Sequence, residues 1–134
     1  MSLQYASESL EEMEKWLDDI RLEASPIIVE GARDKESLRF LEVYGEILLL
    51  NRGESIIVFC ENIAKSYNRV IILTDWDRTG GRLARTLFDG LQANGVEADL
   101  EYRSRLVRIC KKEAKDVEGV HRYYNRLLEK VRRA

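Results

Sequence analysis

Two cysteines, one proline and a single histidine are all that the 134-residue chain holds of those three residue types, and each scarcity removes a class of protein. Cys60 and Cys110 stand far apart in sequence, without the close spacing of metal-binding pairs, so neither a disulfide framework nor a zinc site is expected. Cys60 lies in the apolar run Ile56-Ile57-Val58-Phe59-Cys60, where packing is its expected job. The lone His121 has no motif around it, which points to a surface or capping role. With one proline and no repeat or low-complexity tract, disorder is expected at the termini alone. No apolar stretch is long enough to cross a bilayer and no signal peptide is recognisable, so the expected setting is the cytoplasm, away from membranes.

What is present describes one globular domain over residues 1–134, with 45% apolar and 34% charged residues. A chain of this length can bury most of its apolar surface in one core and leaves no room for a second catalytic domain. The net charge of −2 hides an asymmetry. Residues 100–134 hold eleven Lys and Arg against five Asp and Glu, a balance of +6, which leaves −8 for residues 1–99. A basic block of this kind suits an anionic partner, and equally a solvated helix face.

The most informative stretch is Ile71-Ile72-Leu73-Thr74-Asp75-Trp76-Asp77-Arg78-Thr79-Gly80-Gly81, an apolar run cut off by two carboxylates one residue apart. In an extended segment alternate residues share a face, so Asp75 and Asp77 point the same way at the end of a strand, and Trp76 points the other way into packing. Two carboxylates aimed at one spot repel unless a cation sits between them. An all-oxygen ligand set with no nearby His or Cys favours Mg2+ or Mn2+ over zinc. With eight Asp in the chain, about half an Asp-x-Asp arises by chance, so the pattern needs support.

Support comes from a second site of the same construction. Pro26-Ile27-Ile28-Val29-Glu30-Gly31 is another apolar run ending in an acid and a glycine, followed by Asp34 as N-cap of a helix over 35–43. In an open parallel sheet, ligands bind beyond the carboxyl ends of strands, so Glu30, Asp75 and Asp77 meet there if the two strands are neighbours. Around them the pattern predicts a first helix over about 7–24, opened by a Ser9-x-x-Glu12 capping box. It predicts a strand over 46–50 closed by Asn51-Arg52-Gly53, a helix over 55–67, and the aspartate-bearing strand over 69–74. A helix over 80–94 closed by Gly95, an edge strand over 96–102, and two helical pieces over 104–134 complete it, the last over about 117–133. Strands alternating with helices indicate an α/β fold with about four mainly parallel strands and helices on both faces.

Val29-Glu30-Gly31-x-x-Asp34-x-x-x-Leu38 together with Thr74-Asp75-x-Asp77-x-x-Gly80 resembles the two signature motifs of the Toprim domain of topoisomerases, bacterial primases and several nucleases. The resemblance covers residues 26–118. It implies a Rossmann-like three-layer α/β/α domain in which Glu30 serves as general acid or base or as a metal ligand, and Asp75 and Asp77 hold Mg2+. Gly31, Asp34 and Gly80 are the supporting motif positions. Thr79 stands where many topoisomerases carry a third aspartate, which brings the chain closer to primases and small stand-alone Toprim proteins. A complete topoisomerase or primase is excluded by length. A fainter resemblance links Lys115-Asp116-Val117-Glu118-Gly119 to a terminal motif of ribosomal-RNA maturation nucleases.

The expected chemistry is Mg2+-dependent phosphodiester chemistry on RNA or DNA, a nuclease or processing factor above all, with Glu30 as the acid or base beside the metal. Arg78, Arg82 and Arg85 follow the aspartates at helical spacing and are candidates to grip backbone phosphates, or simply to solvate the helix. Two alternatives remain open. Asp75-x-Asp77-x-Thr79 also suits a haloacid-dehalogenase-like phosphatase, with Asp75 as nucleophile, but 74 residues precede the motif and Glu30-Gly31 goes unexplained. The other alternative is a non-catalytic module that binds nucleic acid while a partner does the chemistry.

Overall fold

The isoleucine- and valine-rich runs of the two central strands are buried on both faces, the two outer strands are partly exposed, and the segments between have the periodicity of helices. The computed structural model describes residues 1–50 and 53–134; Asn51 and Arg52, the expected closure of the second strand, lie outside the described residues. In chain order the elements are α1 (Leu3–Arg21), β1 (Ile27–Val29), α2 (Ala32–Phe40), β2 (Ile47–Leu49), α3 (Ile56–Ala64), β3 (Arg69–Ile72), α4 (Arg78–Ala93), β4 (Glu97–Asp99), α5 (Glu101–Cys110) and α6 (Val120–Arg132). The sheet runs β2-β1-β3-β4 with every pair parallel, as the alternation of elements predicts.

The pleat sorts the core into two layers. Ile27 and Val29 of β1, with Ile71 and Leu73 on and just beyond β3, pack toward Met13, Trp16, Leu38, Leu106 and Leu127 from α1, α2, α5 and α6. Ile28, Val70 and Ile72 face the other way, against Phe59, Ile63, Leu87 and Leu91 from α3 and α4. Burying each such aliphatic side chain contributes about 1.5–3 kcal/mol. On that second face, a Cβ added at Gly90 of α4 would lie 2.8 Å from the sulfur of Cys60, so the glycine sets how closely α4 approaches α3. Cys60 is thus a buried packing residue, as its neighbours in sequence suggest.

Several boundaries differ from expectation for local reasons. Helix α1 starts at Leu3, capped by the Ser2 hydroxyl accepting from the Tyr5 N–H at 3.0 Å, so Ser9 is a buried mid-helix residue and not a cap. The N-cap of α2 is Gly31, and Asp34 sits one turn inside, its Oδ2 accepting from the Gly31 N–H at 3.0 Å. Strand β4 stops at Asp99 instead of running to Tyr102, because Asp99 Oδ1 accepts from the N–H groups of Glu101 (2.8 Å) and Tyr102 (3.3 Å) and starts α5 there. Gly95, at φ +76°, closes α4 in the left-handed conformation that glycine tolerates without strain.

Strands β1 and β3 lie side by side in the middle, and the chain leaves β1 toward β2 on one side while β3 flanks it on the other. This is a topological switch point, the place where open α/β sheets bind ligands.

Candidate functional site

Register brings the two motifs together. Ile28 pairs with Ile72, so Glu30, just past β1, arrives beside the chain leaving β3. There Glu30 Oε2 accepts a hydrogen bond from the backbone N–H of Asp75 at 2.8 Å. Asp75 Oδ1 in turn accepts from the Val117 N–H at 2.9 Å. Asp77 caps α4, with Oδ1 accepting from the Gly80 N–H at 2.6 Å. Asp116 Oδ1 accepts from the Gly119 N–H at 2.8 Å. With Asp34, five carboxylates each commit one oxygen to a backbone N–H, and the second oxygen of each has no hydrogen bond to a described residue.

The turn that carries both aspartates is folded tightly on itself. The Thr74 hydroxyl donates to the Gly80 carbonyl at 2.8 Å. A Cβ added at Gly80 would fall 1.9 Å from the Asp75 carbonyl oxygen, so only glycine fits. At Gly31 the same test meets nothing within 4 Å, leaving open space next to Glu30. Trp76 packs against the larger core layer and its indole N–H donates to the Ala114 carbonyl at 3.0 Å, which makes it a packing residue.

Like charges crowd this edge. Burial pushes the Asp75 carboxyl up to about 6, and the charges of Glu30, Asp116 and Asp77 add to the rise against the lowering hydrogen bond from Val117. Asp34 is also raised to about 6, by burial first and then by Asp75, Asp116 and Glu118. Raised carboxyls bind protons more readily in the folded than in the unfolded chain, so between about pH 3.8 and 6 the native state holds the extra protons and stability falls as pH rises. The metal-free protein is therefore expected to melt several degrees higher at pH 5 than at pH 7.5, and Asp34→Asn should flatten that slope. A melting temperature that climbs steadily from pH 5 to 7.5 would contradict this charge balance.

Among the described residues, no group of three or more His, Cys, Asp or Glu side chains closes around a single point as a finished cation cage. The hydrogen bonds above explain why, since each carboxylate is turned toward a backbone N–H. The donor set still suits a hard cation, being all carboxylate, with one oxygen each of Glu30, Asp75 and Asp77 not hydrogen-bonded to any described residue.

The arginines divide. Arg78 and Arg82 are exposed and form no ion pair with a described residue, whereas Arg85 pairs with Asp89 at 3.6 Å on the outer face of α4. Lys115 is exposed beside the site, and Glu118 pairs loosely with Arg33 at 3.5 Å. His121 is half-buried, with Nδ1 3.3 Å from the Ser37 hydroxyl and its ring stacked on Phe40.

Sequence reasoning underrated one part of the site and missed another. The segment Asp116 to Gly119 comes to the aspartates through the Val117 N–H, although its motif resemblance is faint. Arg103 was not foreseen at all. Its Nε donates to the Thr74 carbonyl at 3.0 Å and its Nη2 to the Asp75 carbonyl at 2.7 Å. No local signal marked it, because it falls between an expected strand and an expected helix.

Comparison with known proteins agrees with this architecture. The Toprim domain family matches residues 25–109, and the chain belongs to that family. Within it, the relatives form the UPF0292 group. A UPF0292 protein of Methanosarcina barkeri is 41% identical over 120 residues, covering 90% of this chain and 83% of the relative. Another from Pyrococcus horikoshii is 42% identical over 120 residues, covering 90% and 89%. A solved structure of an Aquifex aeolicus protein superposes with a TM-score of 0.67 over 79% of this chain and 95% of that one, at 21% identity, a likeness of fold. Membership places the chain in a Mg2+-binding, nucleic-acid-related family. No helix among the described residues is long and apolar enough to cross a membrane.

Proposed function

We propose that the protein is a Mg2+-dependent nucleic-acid enzyme of nuclease type, with Asp75 and Asp77 as metal ligands and Glu30 as the general acid or base or a third ligand. The observation that carries this reading is the hydrogen bond from the Asp75 N–H to Glu30, which joins the two motif acids at the switch point. A divalent cation bound there would supply Lewis-acid stabilisation of the phosphoryl oxygens, worth several kcal/mol of barrier. The chain's own residues do the rest. Val117 and Gly80 fix the carboxylates of Asp75 and Asp77 through backbone N–H groups, leaving one oxygen of each for the cation. Glu30, tied by one oxygen to Asp75, has its other oxygen to take or give a proton at the reacting phosphate. The open space over Gly31 lets a polymer backbone come close to that oxygen. Hydrolysis requires only this site and water, which is why a nuclease is preferred to strand transfer.

A covalent phosphatase route would use Asp75 as nucleophile and leave Glu30, which is hydrogen-bonded to the Asp75 N–H, without a role, which argues against it. Arg78 and Arg82, exposed and without an ion pair among the described residues, are open to phosphate contact at the start of α4, while Arg85 pairs with Asp89. In the basic C-terminal block, Arg105, Arg108, Arg126 and Arg133 are ion-paired. Lys112, Lys115, Arg122, Lys130 and Arg132 form no ion pair with a described residue, and of these Lys115 and Arg122 flank in sequence the Asp116–Gly119 segment that meets Asp75. Arg78→Ala is expected to weaken nucleic-acid binding across all sequences and to lower the salt slope by about one. Binding that ignores salt would remove these phosphate contacts.

The metal half of the reading is tested by melting. Mn2+ or Mg2+ binds the folded state alone and should raise the melting temperature, by about 2.7 kcal/mol of stability at one hundred times the dissociation constant. Asp75→Asn with Asp77→Asn should erase that response. An undiminished response in the double variant would put the cation elsewhere.

A further inference from the structure

The Thr74–Asp75 peptide group is held from both sides. Its N–H donates to Glu30 Oε2 at 2.8 Å, and its carbonyl, pointing the opposite way in a trans peptide, accepts from Arg103 Nε at 3.0 Å. Arg103 Nη2 reaches the next carbonyl, that of Asp75, at 2.7 Å. An acid from the end of β1 and a guanidinium from α5 therefore grip the short segment that carries both motif aspartates. The planar fork meets two successive carbonyls with donors on two nitrogens held at fixed spacing, whereas an ammonium group carries its donors on one nitrogen at the end of a flexible stem.

A simple tie between α5 and β3 would explain the hydrogen bonds but not the choice of a charged group at a half-buried place. Arg103 has no carboxylate within ion-pair distance among the described residues, yet its charge is felt by Glu30, Asp75 and Asp77 together. We propose that Arg103 is a positioning residue of the cation site: it fixes the backbone from Thr74 to Trp76 so that Asp75 and Asp77 present their free oxygens together, and it offsets their repulsion while no cation is bound. This rests on the reading of Glu30, Asp75 and Asp77 as the cation site. It adds a residue that touches neither cation nor substrate and acts through the main chain.

The test compares Mn2+ binding and amide exchange in the full-length wild type, Arg103→Met and Arg103→Lys. Loss of an outer residue that orients metal ligands typically costs about 10–100-fold in metal affinity. Arg103→Met is expected to fall in that range, and Arg103→Lys, keeping the charge but with one nitrogen in place of the fork, to recover part of it. In the metal-free Arg103→Met protein the Asp75 amide should exchange faster while Ile71 and Leu73 stay protected, a pattern that general destabilisation would not produce. If Arg103→Met does not fold, Arg103→Lys carries the test: an intermediate loss supports the proposal, and wild-type affinity overturns it. Wild-type affinity in a folded Arg103→Met, with binding still abolished by Asp75→Asn plus Asp77→Asn, overturns this proposal and leaves the site intact. Absence of Mn2+ binding in the wild type overturns both together.

Discussion

Replacing Glu30 with Gln is expected to cost about 10²–10⁴-fold in cleavage of the protein's polymer substrate, a loss comparable to that of Asp75→Asn. Glutamine keeps an oxygen to accept the Asp75 N–H, so the fold of the site survives and the loss reports the missing carboxylate. Asp75→Asn likewise keeps an acceptor for Val117 while removing the charge that a cation needs. Small phosphomonoesters should be hydrolysed negligibly by all three proteins, since in this reading Asp75 serves as a metal ligand and no phosphoenzyme forms. Vigorous monoester turnover that survives Glu30→Gln, with a phosphoryl label trapped on Asp75, would reassign the site to phosphatase chemistry.

Gly80→Ala is the second large effect, this time on stability. The added methyl would overlap the Asp75 carbonyl at 1.9 Å, and the obstacle is backbone, which cannot swing aside as a side chain would. Relief requires the turn from Thr74 to Gly80 to open, breaking the Thr74 hydroxyl contact and the Asp77 cap. A cost of roughly 3 kcal/mol is expected, lowering the melting temperature by about 10 °C, together with loss of the response to Mn2+. Gly31→Ala makes the internal comparison. It meets nothing within 4 Å and its φ of −153° is ordinary extended backbone, so its stability should change by no more than about 1 kcal/mol. Equal destabilisation by the two substitutions would mean that the turn does not hold the geometry described.

How much of this was legible in the sequence depends on the range of the interaction. Asp75 and Asp77 stand out within the eleven residues from Ile71 to Gly81, an apolar run ending in alternating acids and then glycines, once the second acid-ended run supports a pattern that chance alone can produce. Glu30 needed one more assumption, that its strand lies next to theirs; the Ile28–Ile72 register supplies it. The error at Asp34 was one of turn chemistry. An acid before a helical run reads as an N-cap, but Gly31 takes that place and Asp34 serves it from inside the first turn. The Tyr102 error was similar, with alternating polarity reading as strand while the Asp99 side chain was already starting a helix. The segment around Val117 carried only a faint motif resemblance and Arg103 no signal at all, since both meet the aspartate segment through main-chain atoms some thirty to forty residues away in the chain. Such contacts leave no periodicity and no spacing.

The most direct measurement is a cleavage screen of the wild-type protein on structured RNA, single-stranded DNA and duplex DNA, with Mg2+ or Mn2+ and with a chelator, beside Asp75→Asn. The account predicts cutting of at least one polymer that needs the cation, stops with chelator and is lost in Asp75→Asn. Cleavage that persists equally in chelator and in Asp75→Asn, or none of any polymer with either metal, would contradict it.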